Sequence, residues 1–201
     1  MDLSPEGIIL FAKSAGKTSF SSLWQIKNAL ETKKVGHTGT LDSFADGLLV
    51  LLSGKMTRLA PYITACDKEY KALIEFGAET DTLDPDGKVI MEAPLPLFRT
   101  VRNILPSFTG NIMQKPPLFS AIHVDGERAS DRIRKGEQIE LPPRPVTVYS
   151  IEILEARDPG GNMAGDDSQL ANLTVRVRCS KGTYIRSLAR TLRRQRVPAP
   201  I

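Results

Sequence analysis

One carboxylate in this chain is set where it can do chemistry. Asp42 stands near the end of Val35-Gly36-His37-Thr38-Gly39-Thr40-Leu41-Asp42-Ser43, which joins a predicted helix to the most apolar run of the sequence, Gly47-Leu48-Leu49-Val50-Leu51-Leu52. A glycine pair, three hydroxyls and a histidine around a single acid suit a tight loop that faces a ligand. Gly36 and Gly39 are free to take positive φ and to let another backbone come close. A carboxylate held rigidly at the mouth of a buried segment can serve as a nucleophile. The same residue also closes turns for purely local reasons.

Two other stretches invite a chemical reading and lose it on spacing. Lys13-Ser14-Ala15-Gly16-Lys17-Thr18-Ser19 lies between a strand and a helix, like a phosphate loop. That motif needs a glycine five residues before Gly16, and Phe11 stands there. Asp81-Thr82-Leu83-Asp84-Pro85-Asp86-Gly87 has the acids of a calcium loop without its closing glutamate, and reads as a turn. The two cysteines, Cys66 and Cys179, fit no metal or redox spacing, which suits a reducing compartment. The N-terminal run Ile8-Ile9-Leu10-Phe11-Ala12 is too short for a signal peptide or a membrane span. A cytoplasmic protein is expected, with no membrane partner and no metal.

The elements that must carry Asp42 follow from hydrophobic period. Gly7 to Ala12 predicts a short buried strand. A helix follows, capped by Thr18 or Ser19 and running to about Lys33. Phe20, Leu23, Trp24 and Leu30, flanked by Ile26 and Ala29, form its apolar face, with Trp24 as a core anchor. A second helix is predicted over 55–65, a strand over 69–76 and a short helix over 100–108. Gln114 to Ala121 cannot be an interior strand because of Pro116 and Pro117. Glu127 to Lys135 reads as a polar helix, Val146 to Leu154 as a strand, and 158–167 as a glycine-rich loop. Leu173, Val175, Val177 and Cys179 alternate with Thr174, Arg176 and Arg178, a half-buried strand. In the last helix Ile185, Leu188, Ala189 and Leu192 make one stripe, and Arg186, Arg190 and Arg193 the opposite face.

Charge is unevenly spread. The net charge is +4, yet residues 171–201 hold eight Lys or Arg and no acid. Such a segment points to a polyanion, with nucleic acid first, or to a solvated charged face.

Taken together, and in this order, the motifs resemble the TruB family of tRNA pseudouridine synthases. Gly36-His37-Thr38-Gly39-Thr40-Leu41-Asp42 resembles that family's catalytic loop, and Lys68-Glu69-Tyr70-Lys71-Ala72 its tyrosine strand. Residues 77–87, Gln114 to Ala121, and Cys179-Ser180-Lys181-Gly182-Thr183-Tyr184-Ile185-Arg186-Ser187-Leu188 are similar to its following loop, its proline-rich segment and its arginine motif. The resemblance covers residues 7 to about 192. It implies an α/β (α+β) pseudouridine synthase fold, with a mixed, mostly antiparallel central sheet, flanking helices and a catalytic cleft. It implies conversion of one uridine to pseudouridine in the T loop of tRNA, position 55 in tRNA numbering, without cofactor. The partner is the tRNA T arm, and a monomer is expected. The alternative is a catalytically impaired protein of the same fold that binds or folds tRNA.

The resemblance also implies roles. Asp42 is the nucleophile acting on a flipped-out base. Tyr70 offers the base an aromatic face and a hydroxyl. Arg186, near Asp42, favours the ionised carboxylate. His37 fills the space the base vacates or supports the flipped nucleotide, and Lys13 and Tyr184 line the site. Charge alone adds Arg178, Lys181, Arg190 and Arg193 as phosphate contacts. Departures from the family pattern are Ser43 for proline, Asp46 for threonine, Ser14 for proline after Lys13, His123 for lysine and Ser130 for an aromatic. The family continues beyond the arginine helix. One catalytic domain over 1–201 is therefore expected, truncated at its C-terminal end, lacking a PUA-type RNA-binding domain, and with the last apolar stripe uncovered.

Overall fold

The computed structural model describes residues 5–124, 126–194 and 198–199, so Arg196 of the basic segment, with Val197, Pro200 and Ile201, lies outside the described residues. The chain packs as two compact units, Met1–Cys66 and Asp67–Ile201.

In the first unit β1 (Gly7–Lys13), β2 (Val35–His37) and β3 (Gly47–Ser53) form an antiparallel sheet in the order β1-β3-β2. Helix α1 (Ser19–Ala29) covers one face, where Leu23 meets Val35, Leu49 and Leu51, with Ile9, Phe11 and Ile26 beside them. The Thr18 hydroxyl caps it, accepting from the Ser21 N–H at 3.0 Å. The helix stops short of Lys33 because Glu31 turns left-handed, at φ 49°, just beyond its end. The predicted helix over 55–65 is a tight 3-10 turn, Gly54–Leu59, followed by α2 (Ala60–Thr64), with Pro61 in its first turn.

Two expectations fail in this unit. Trp24 is no core anchor: it is 61% exposed, and Phe20 is 72% exposed. The helix turns Ser19, Ser22 and Leu23 inward instead. Gly36 and Gly39 do not use positive φ, and no heavy atom comes within 4 Å of where a Cβ would stand on either. Gly36 is ordinary strand, opposite Leu52.

The second unit contains β4 (Lys68–Glu75), β5 (Ala78–Thr80), β6 (Val89–Glu92), α3 (Phe98–Ile104), β7 (Gly110–Gln114), β8 (His123–Val124), β9 (Glu127–Arg128), α4 (Ala129–Arg134), β10 (Arg144–Arg157), β11 (Asn172–Cys179) and α5 (Ile185–Arg193). Its main sheet runs β4-β11-β10-β7, and β5-β6 and β8-β9 are separate two-stranded ribbons. Every described pairing is antiparallel, in keeping with the α/β, mostly antiparallel expectation, but the principal strands are shared between two sheets, one in each unit. β11 alternates as its sequence predicts, Leu173, Val175, Val177 and Cys179 inward and Arg176 and Arg178 outward. β10 is longer than predicted because two register shifts, after Val148 and after Ile153, break the alternation that marks a strand. β2, β5 and β7 were too short to show a period. No helix of the described residues is long and apolar enough to cross a membrane.

The stripe of α5 is covered. Leu188, Ala189 and Leu192 are buried in one cluster with Ile74, Val101, Phe108, Val175 and Val177. The expectation of an uncovered last helix is thus corrected: the sheet and α3 of the same unit supply the apolar partners.

These two corrections predict opposite mutational outcomes. Leu192→Ala removes a fully buried side chain and should lower stability by about 2–5 kcal/mol in urea unfolding followed by circular dichroism. Trp24→Ala, at an exposed site, should stay within about 0.5 kcal/mol of the parent.

Candidate functional site

Asp42 is half-buried, on a loop that the first unit ties down residue by residue. Thr38 donates its N–H and its hydroxyl to the Val50 carbonyl of β3, at 3.0 and 3.2 Å. The Thr64 hydroxyl donates to the Thr38 carbonyl at 2.9 Å. Ser19, the first residue of α1, takes both backbone groups of Leu41: its hydroxyl accepts from the Leu41 N–H and lies 3.1 Å from the Leu41 carbonyl as donor. Beyond Asp42, the Gly16 N–H donates to the Ser43 carbonyl at 2.8 Å. Gly16 reaches it with φ at 76°, a conformation that suits glycine.

Lys13 closes this framework. It is 2% exposed, and its ammonium donates to the carbonyls of Ser14, Lys17, Ser43 and Ala45. Burial pushes its pKa below the ordinary lysine value, against the opposing pull of the Asp46 and Asp42 charges. Asp46, a departure from the family pattern, thus helps to keep Lys13 charged. The resemblance gave Lys13 a place lining the site. Its ammonium is taken up by backbone that holds the Asp42 loop. The Gly16-Lys17-Thr18 segment is likewise absorbed in caps and tethers, which agrees with setting the phosphate-loop reading aside. His37 is half-buried in β2, and its Nδ1 is buried with no hydrogen-bond partner among the described residues.

In the second unit, Tyr70 lies on β4 opposite Val177, partly buried against the core. Tyr184 immediately precedes α5, and the Gln114 amide pairs with it at two points. Gln114 Oε1 accepts from the Tyr184 N–H at 2.8 Å, and Gln114 Nε2 donates to the Tyr184 carbonyl at 3.1 Å. The proline-rich segment then offers carbonyls to α5. Lys115 accepts from the Ser187 hydroxyl at 2.8 Å and from the Arg190 guanidinium at 3.1 Å. Phe119 accepts from Arg186 Nη2 at 3.0 Å. Prolines at 116 and 117 lack N–H groups, so residues 115–119 offer carbonyls without joining a sheet.

Arg186 is held on a second side. Its Nη1 donates to the Thr82 carbonyl at 2.9 Å and lies 3.6 Å from Asp84 Oδ2, with both side chains nearly buried. Asp84 is itself fixed by the Thr82 hydroxyl, at 2.6 Å, and by the Asp86 N–H, at 3.1 Å. The turn predicted over 81–87 is therefore present, and it also carries the carboxylate that faces Arg186.

The basic segment is less available than its sequence suggests. Arg176 pairs with Glu152 at 2.7 Å, and Arg194 grips Glu79 through two bonds of 2.6 and 2.8 Å. Arg178 stands over the Tyr149 ring. Burial lowers the pKa of Arg190 and Arg193 from the ordinary arginine value, and Arg193 Nε is buried without a partner among the described residues. Lys181 is exposed in the turn before α5. Among the described residues no group of three His, Cys, Asp or Glu is arranged to hold a metal. Asp84 and Gln114 were missed as site residues, because a carboxylate in a turn and an amide before prolines carry no periodic signal.

Comparison with known proteins agrees with the motif order. The sequence profile of the TruB family pseudouridylate synthase (N terminal domain) matches residues 27–185. The chain is 52% identical over 203 residues to tRNA pseudouridine synthase B of Treponema denticola, covering 97% of this chain and 57% of that protein. It is 45% identical over 187 residues to the protein of the same name from Borreliella burgdorferi, covering 92% and 63%. Among solved structures, an H/ACA RNP bound to a substrate RNA containing 2'-deoxyuridine aligns with a TM-score of 0.61 at 25% identity, over 93% of this chain and 42% of that one. A Cbf5-Nop10-Gar1 complex aligns at 0.63 and 27%, over 93% and 43%. The chain spans little more than half the length of the curated relatives it matches.

Lys13→Met should keep the length and packing of the side chain but leave four carbonyls without the ammonium that joins them. Urea unfolding should show a loss of roughly 2–4 kcal/mol.

Proposed function

The chain belongs to the TruB family of pseudouridylate synthases, and from that premise we propose that it isomerises uridine to pseudouridine in tRNA, at position 55 of the T loop. The observation that carries this reading is the fixing of the Asp42 loop at Thr38, Leu41, Ser43 and Ala45, with Lys13 buried beneath it. A carboxylate that must meet a reacting atom gains most from such prior restraint.

The reaction breaks the bond between the sugar C1′ and N1 of uracil. The ring turns and rejoins C1′ through C5, C5 loses its proton, and N1 takes one up, so the product is an isomer of the substrate. Asp42 is the nucleophile, attacking the sugar or the ring. The uridine leaves the stacked loop before reaction, at a cost of a few kcal/mol. Tyr70 stacks on the base, and its hydroxyl serves the proton step at C5. Arg186, fixed by Thr82, Phe119 and Asp84, supplies positive charge for the ionised groups of the reaction. Lys181, Arg178 and Arg190 contact phosphate, with Arg193 beside them, and His37 and Tyr184 meet the nucleotide. No cofactor takes part.

The test is pseudouridine mapping on a T-arm hairpin under single-turnover conditions, with affinity measured on the same preparations. Asp42→Asn and Asp42→Ala should abolish conversion while affinity stays within a few fold, because binding energy comes mainly from phosphate contacts and stacking. Tyr70→Phe should keep affinity and slow the proton step. Arg186→Lys should be severe, since lysine cannot serve the separate carbonyls that the guanidinium reaches. Comparable conversion by Asp42→Ala would overturn the reading. A parent protein that binds the hairpin and converts nothing would establish the alternative, an RNA-binding or RNA-folding protein of the same fold.

Affinity for the hairpin should fall by about tenfold or more between low and physiological salt. The pairing of Arg176 and Arg194 with carboxylates makes this drop shallower than an all-basic segment would give. A salt-independent curve would contradict phosphate contacts altogether.

A further inference from the structure

The first unit carries a feature that neither its core nor the Asp42 loop uses. On α1 the two largest side chains, Phe20 and Trp24, stand in solvent at 72% and 61% exposure, while Ser19 and Ser22 are buried. At 100° per residue, Phe20, Trp24 and Lys27 share one arc of the helix, turned away from the stripe that meets the sheet. Burial in the fold therefore does not account for the aromatics. We infer that this face binds an unpaired stretch of RNA, its bases stacking on Phe20 and Trp24 and its phosphates meeting the lysines around them.

Charge and composition choose the occupant. Between Ser14 and Lys34 stand four lysines, at 17, 27, 33 and 34, and one acid, Glu31. Of the remaining exposed residues on the helix, Ser21, Gln25 and Asn28 are polar and Ala29 alone is apolar. A protein partner would ask for a contiguous apolar centre depleted in lysine. Two neighbouring rings in a basic, largely polar surround match a single strand, where each base offers a π-face and each phosphate a charge. Stacking is tolerant of sequence, so the face would hold an RNA segment outside the T-loop uridine without selecting its bases. The inference rests on the reading of the chain as an RNA-modifying enzyme, and the readouts below keep the two apart.

Trp24 is the only tryptophan of the chain, so its fluorescence reports this face alone. The probe is a single-stranded oligouridylate of about ten nucleotides, a length of the order of one single-strand site, titrated into the full chain. Trp24 emission should be quenched with a saturable curve that weakens as salt rises. By anisotropy of the labelled oligouridylate, Phe20→Ala and Trp24→Ala should each weaken binding about tenfold, the loss of one stacked base. Lys27→Glu should weaken binding and make its loss with salt shallower, because fewer phosphates are neutralised. Conversion of the T-arm hairpin by Trp24→Ala should match the parent. Bound oligouridylate with unchanged Trp24 emission would overturn the inference, as would full affinity in Trp24→Ala. Emission that changes with protein concentration alone, together with a dimer in sedimentation that Trp24→Ala abolishes, would replace it with a protein interface. Quenching and tenfold losses in a chain that converts no hairpin would uphold this face and reject the isomerase.

Discussion

A lysine ammonium buried among backbone carbonyls organises the first unit. Lys13 ends β1, and its charge is satisfied by the carbonyls of Ser14, Lys17, Ser43 and Ala45. One cation thereby joins the turn after β1 to the loop that carries Asp42. A buried charge without partners would cost several kcal/mol, so the carbonyls must stay aimed at it. That requirement fixes the backbone on the C-terminal side of Asp42, as Ser19 and Val50 fix it on the N-terminal side. Segments far apart in sequence, from β1 to β3, converge on one short loop, and the convergence gives a carboxylate a defined position.

The second unit solves a similar problem with a guanidinium. Arg186 sits at the start of α5, whose apolar stripe anchors it in the core. Its planar fork reaches one carbonyl of the 81–87 turn and one of the proline-rich segment, with Asp84 close by. Gln114 adds the alignment of Tyr184, so the approach to α5 is set before the helix begins. Backbone carbonyls carry much of this work in both units. A carbonyl is available wherever the chain passes, and it accepts from lysine or arginine without adding a charge of its own.

How much of this was legible in the sequence follows from what period and motif can report. The alternation in β11 and the stripe of α5 were read correctly, because burial on one face imposes a period. Asp42, Tyr70 and Arg186 were singled out through motifs. Asp84 and Gln114 were not, since their partners are backbone groups, a threonine of the same turn or one distant arginine. Trp24 was misread because an aromatic at helical spacing is usually a core residue, and only the packing of Ser19 and Ser22 reveals which arc faces the sheet. Gly36 and Gly39 were credited with a freedom that the loop does not use. β10 escaped its full length because its bulges reset the alternation.

The central claim, that this chain moves uracil from nitrogen to carbon, is tested most directly by the proton that the new bond displaces. A T-arm hairpin carrying tritium at C5 of its uridines would be mixed with excess protein and the tritium released to water counted over a single turnover. The account predicts release equivalent to one uridine per hairpin, with the RNA left intact in length. A folded protein that binds the hairpin fully and releases no tritium would contradict it.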